Sequence, residues 1–158
     1  MNRFYDIPSI QSRELLPWEA KRRGLSVTTG LFELIAQEQR VRLRSDIAGG
    51  DLVLDVGEVS DLASIPSVVQ WFVMDCDDQR IAAGAWFHDK LFKAGGVVSV
   101  YWPDGSIKGT VRLTFEQCNK ILCDEAMPDL GASAFARWKV ATGLAIGGRG
   151  SFQKPNGT

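Results

Sequence analysis

The chain has 158 residues, 45% hydrophobic and 23% charged, with a formal net charge of −1. That length is one domain's worth and can bury a core without staples, and the even charge balance argues against a basic field that would draw the whole chain to nucleic acid or acidic lipid. Three scattered cysteines, Cys76, Cys118 and Cys123, one histidine and no Cys-x-x-Cys argue against a disulfide framework, fit a reducing compartment and leave no zinc site.

We read residues 1–158 as a single domain, with an N-terminal arm over 1–29, a core over 30–148 and a C-terminal tail over 149–158. No apolar signal-peptide core follows Met1, and the apolar stretch around Val140–Ile146 is too short to span a bilayer. Charge is uneven: residues 51–100 hold eight Asp/Glu against Arg80, Lys90 and Lys93.

In chain order, Ser12–Arg23 predicts a short helix that Pro17 interrupts. Phe32–Val56 reads as strands, because Val41, Leu43 and Ser45 alternate with Arg42, Arg44 and Asp46. Gly49-Gly50 makes a turn, Leu52-Val53-Leu54 starts the return strand, and Gly57 allows a kink. Ser64 is placed to cap a helix that Pro66 begins, ahead of the apolar run Val68–Met74. A longer helix is predicted from about Asp78 to Lys93, ended by Gly95-Gly96. Val97–Arg112 predicts a hairpin around Asp104-Gly105. Thr114-x-x-Gln117 is a capping-box signal for a helix from about Phe115 to Met127, stopped by Pro128. A last helix is predicted over about Ala132–Ala145, and Gly150–Thr158 would be flexible alone. The sum is an α+β fold: a small antiparallel sheet from Phe32–Val56, extended by the hairpin, packed on three or four helices.

The chemistry-bearing residues gather near the acidic middle. On the Asp78–Lys93 helix, Ile81, Gly84, Ala85, His88, Leu91 and Phe92 share one face, so His88 points inward. Gly84 and Ala85 leave room there for another element. Asp89 lies about a hundred degrees round the helix, near Trp86 and Lys93. The better partners for His88 are Asp61 and Ser64. As a catalytic set, His88 would be a general base taking a proton from water, with a carboxylate, Asp61 or Asp89, fixing its tautomer. As a structural clasp, the same imidazole would stitch Asp61–Pro66 to the helix. Ser64 is a nucleophile in the first reading and a helix cap in the second. Asp75, Asp77 and Asp78 lack the spacing of a calcium loop and suit a solvated helix start. Arg40, Arg42 and Arg44 form a basic row for an acidic partner, or a charged outer sheet face. Trp71, Trp86, Trp102 and Trp138 suit a core or an interface.

Three motifs occur in order: Gly57-x-x-Ser60-Asp61-Leu62-Ala63-Ser64-Ile65-Pro66, then Ala82-Ala83-x-x-Trp86-x-His88-Asp89-x-Leu91-Phe92, then Phe115-x-x-x-Asn119-x-Ile121-Leu122-x-x-x-Ala126-Met127-x-x-x-Gly131. Together they resemble a family of tailed-phage and prophage proteins known as domain of unknown function 1353, over about Phe32–Phe152. Ser60 stands where that family has Thr, Phe92 where it has Tyr, and Asn119 where it has Asp. The His88-Asp89 dipeptide is also similar to phospholipases A2, without their calcium loop. The family resemblance implies a phage or prophage protein, made in the host cytoplasm and incorporated in the virion or its tail. Its partners would be other phage structural proteins or itself, with no cofactor, metal, nucleic acid or membrane span. The alternative is a small hydrolase of lipid esters or cell-wall bonds using His88.

Overall fold

The computed structural model describes residues 3, 12–25, 31–34, 41–60, 79–147, 149 and 152. It is an α+β fold with two small antiparallel sheets. The first sheet joins β1 (Ser12–Glu14), β2 (Phe32–Leu34) and β5 (Val59–Ser60) in the order β1-β2-β5. The second joins β3 (Val41–Ser45), β4 (Gly50–Leu54), β6 (Val97–Tyr101) and β7 (Ile107–Arg112) in that order. The expected single sheet is therefore split. Phe32–Leu34 pairs with Ser12–Glu14 and with Val59–Ser60 rather than with β3.

The expected helix over Ser12–Arg23 is corrected in the same way. Ser12–Glu14 is strand, and α1 (Pro17–Arg22) begins at Pro17. Proline lacks an N–H and has a fixed φ, so it is tolerated in the first turn and starts this helix instead of breaking it. The Glu19 carboxylate accepts from the Leu16 N–H at 3.0 Å and so caps that turn.

The β3–β4 hairpin follows its sequence pattern. Val41, Leu43 and Ser45 are buried while Arg42 and Arg44 are half-buried, and Val41 opposes Leu54 and Ser45 opposes Gly50. β6 and β7 close around Asp104-Gly105, where Gly105 has a φ of 89°. The Asp104 carboxylate accepts from the Ser106 N–H at 2.8 Å.

Helix α2 (Gln79–Lys93) runs through the middle of the fold. The single buried face expected for it is too narrow. Ala83, Ala85, Trp86, Phe87, His88, Asp89, Leu91 and Phe92 are all buried, because the four-stranded sheet lies on one side of α2 and the later helices on the other. The Ile81 side chain lies outside the described residues. At Gly84 an added Cβ would stand 3.0 Å from Leu122, so the absent side chain sets the approach of the next helix. Gly96, with φ +78°, ends α2, and an added Cβ would stand 2.0 Å from the Leu113 carbonyl oxygen.

Thr114 and Gln117 form the expected reciprocal cap: Gln117 N–H donates to Thr114 Oγ1 at 3.2 Å and Thr114 N–H to Gln117 Oε1 at 2.9 Å. The helix then changes winding. α3 (Phe115–Lys120) passes into a π-helical stretch, Ile121–Ala126, and out through α4 (Met127–Asp129). Pro128 stands at its first turn, and the helix ends at Asp129. α5 (Ala134–Gly147) follows. Ala85, Leu122, Cys123, Met127, Val140 and Leu144 form a core between α2, the π-helical stretch and α5.

Candidate functional site

His88 is 1% exposed. Its Nε2 lies 3.0 Å from Oδ1 of Asn119, on α3. An oxygen there is an acceptor, so Nε2 carries the proton and Nδ1 presents a lone pair. Nδ1 has no hydrogen-bond partner among the described residues. The ring packs against Phe92, with centroids 3.9 Å apart. Phe92 in turn meets Phe115 and the edge of Phe152, at 5.6 Å and 5.3 Å. Burial pushes the His88 pKa from 6.5 down to about 4, against the opposing pull of the Asn119 hydrogen bond and of the Asp89 charge. The imidazole is therefore neutral at physiological pH.

Asp89 is also 1% exposed, although it turns away from His88 as the helix geometry requires. Its Oδ2 pairs with Lys93 Nζ at 3.0 Å, one turn on. Its Oδ1 has no partner among the described residues. Lys90 reaches across to Glu58 and donates to the Val53 carbonyl at 2.6 Å, and Lys93 donates to the Val59 carbonyl at 3.4 Å. These two lysines fasten α2 to β4 and β5, and so to both sheets.

Asp61 and Ser64, expected beside His88, lie outside the described residues, as do Arg40, Trp71 and the Asp75–Asp78 cluster. The observed partner of His88 is Asn119. From the sequence, Asn119 is notable only for standing where the resembled family has Asp. The available signal was its position on the apolar face of its helix with Leu122, Cys123 and Ala126, where a polar side chain needs an internal partner. Phe92 stands fully buried among aromatic rings.

Of the arginine row, the Arg42 side chain is engaged within the chain. Arg42 donates to Asp51 Oδ2 at 2.6 Å and to the carbonyls of Trp102 and Pro103 at 2.9 and 3.1 Å. It thereby ties β3 and β4 to the end of β6. Arg44 is half-buried, and its N–H donates to the Arg3 carbonyl at 2.8 Å.

A second buried polar site was not anticipated. Glu125, 3% exposed on the π-helical stretch, serves the β3–β4 turn. Its Oε2 accepts from Ser45 Oγ at 2.6 Å, and its Oε1 from the N–H groups of Asp46 and Ile47 at 2.9 and 3.2 Å. Arg3 Nη1 adds a contact at 3.3 Å. The turn's orphan donors are thus satisfied by a carboxylate 80 residues away.

Cys118 and Cys123 are buried free thiols, each pushed up to about 12 by burial. Neither is a thiolate at neutral pH, so neither is an activated nucleophile there. Among the described residues no group of three or more His, Cys, Asp or Glu could hold a metal ion, and no helix is long and apolar enough to cross a membrane.

Outside this interior, α5 presents large apolar side chains to water. Phe135 is 63% exposed, Trp138 62% and Ile146 82%. Phe135 and Trp138 stack with centroids 6.1 Å apart. Trp86 is buried, as a core tryptophan, while Trp102 is 49% exposed with Lys108 Nζ over its ring.

No protein-family model matches the chain, and neither a curated protein nor a solved structure matches it.

Proposed function

We propose that the chain is a contact-forming component of a phage or prophage particle, tail-associated or acting in assembly, and not an enzyme. The observation that carries the contact-forming part is the exposed face of α5. Three large apolar side chains stand on one helix in water, and contiguous exposed apolar surface marks an interaction site. The phage context rests on the resemblance of the Ser60–Pro66 and His88-Asp89 motifs. In this reading the His88-Asp89 pair is a clasp. His88 holds α2 to α3 through Asn119, and Asp89 braces Lys93 against β5.

One observation favours the hydrolase reading. Asn119 fixes the tautomer of His88, and its unpartnered Nδ1 is the atom a general base would use. Against it stands the burial that pushes the imidazole to a pKa of about 4, which leaves a weak base for work near neutral pH.

Mass spectrometry of purified particles tests the proposal. Recovery of the chain in constant proportion to the other particle proteins is the expected result. Its absence from particles, together with turnover of an ester or cell-wall substrate that Asn119→Ala abolishes in a folded chain, would replace this reading with the hydrolase.

A further inference from the structure

The exposed face of α5 has a shape that selects its occupant. Its large residues lie toward the N-terminal end, Phe135 and Trp138, and its small ones follow, Ala141, Thr142 and Ala145, before Ile146. The stripe itself carries no charge. Lys139, beside it, lays its Nζ 4.5 Å above the Phe135 ring. From Phe135 to Ile146 the stripe is roughly 16 Å long at 1.5 Å per residue.

From this we infer that α5 is a homodimer interface, in which two copies of the chain pack their α5 helices antiparallel about a two-fold axis near Ala141. The inference rests on the reading of the chain as a contact-forming domain and names its partner. An antiparallel pair sets Trp138 of each copy over the small residues after Ala141 in the other, and Phe135 against Ile146. A parallel pair would oppose aromatic to aromatic and leave the small residues facing a gap. Self-complementarity of one patch under a two-fold axis is the geometry of an isologous dimer.

The area agrees with a weak dimer. Whole aromatic side chains offer about 200–250 Å², so exposures of 63% and 62% leave roughly 130–155 Å² each for Phe135 and Trp138. With Ile146 and the small residues, the stripe comes to roughly 500–600 Å² per copy, or about 1,000–1,200 Å² for the pair, at the lower edge of specific interfaces. Area does not by itself fix affinity; a weak dimer dissociates at about 1–100 μM.

Sedimentation velocity over that range tests this directly. The wild-type chain should pass from 17.4 kDa to twice that mass as concentration rises. Phe135→Lys and Trp138→Lys should each weaken the dimer by at least about 30-fold, without moving the urea midpoint of the monomer measured well below about 1 μM, where linkage to the dimer is absent and both side chains already face water. In a Cys76→Ser background, Ala141→Cys chains should be joined to one another by a short bis-maleimide. A chain monomeric at every concentration, or a dimer that neither lysine variant weakens, overturns the inference. So does a monomer that binds anionic vesicles through Trp138. A monomeric chain still found in purified particles removes the dimer and keeps the contact-forming reading. A dimeric chain absent from particles keeps the dimer and removes the particle.

Discussion

Mild acid should loosen this fold through one side chain. Burial holds His88 at a pKa of about 4, against 6.5 for a free imidazole. Between those values the unfolded chain binds a proton that the folded chain does not. Stability is therefore full above pH 6.5 and is lost as pH falls toward 4. The loss is about 2 kcal/mol between about pH 7.5 and about pH 5, and about 3 kcal/mol once complete. Ordinary carboxylates titrate mostly below about pH 5, and His88 is the one histidine in the sequence, so the upper part of the window belongs to it. Urea unfolding followed by tryptophan fluorescence, at several pH values, measures the slope. His88→Gln should flatten it above pH 5, because the glutamine amide can still donate to Asn119 Oδ1 but does not titrate. A proton NMR titration of the sole imidazole in the wild-type chain gives the same answer without a variant. A folded-state pKa near 6.5, or an equal slope in His88→Gln, would refute the reasoning.

Asn119→Asp should raise the His88 pKa well above 4, since a carboxylate at Nε2 favours the imidazolium; the same NMR titration reads it, and an unchanged value would mean the two side chains do not meet. Glu125→Ala should cost roughly 2–4 kcal/mol, as it leaves the Ser45 hydroxyl and the Asp46 and Ile47 N–H groups without their acceptor, while Arg3 keeps its pair with Asp46; a loss under about 1 kcal/mol by urea midpoint would show the turn is satisfied otherwise. Gly96→Ala should cost roughly 3 kcal/mol or more, from a left-handed backbone and a collision with the Leu113 carbonyl. Unchanged thermal unfolding there would contradict the tight α2–β6 corner.

What the sequence made legible was local. The alternation of Val41, Leu43 and Ser45, the Asp104-Gly105 turn, and the Thr114/Gln117 cap each depend on neighbours within a few residues, and each appears where the pattern places it. Pairing between distant segments was not legible. Phe32–Leu34 reads as a strand from its own residues, but nothing in them says that its neighbours are Ser12–Glu14 and Val59–Ser60. The π-helical winding of Ile121–Ala126 was hidden too, because its apolar spacing resembles that of an ordinary helix. At the site, the burial of His88 and its separation from Asp89 followed from helical spacing, whereas Asn119 was chosen by tertiary packing. Glu125 shows the same limit. A charged residue between Cys123 and Met127 breaks the apolar pattern, and only the distant turn explains it.

The central claim is that the chain works by contact and not by catalysis, and particle yield tests it most directly. A phage or prophage carrying His88→Gln, with the chain shown to be folded, should give full yield, while Trp138→Lys should lower it. Loss of yield with His88→Gln and full yield with Trp138→Lys would contradict the account.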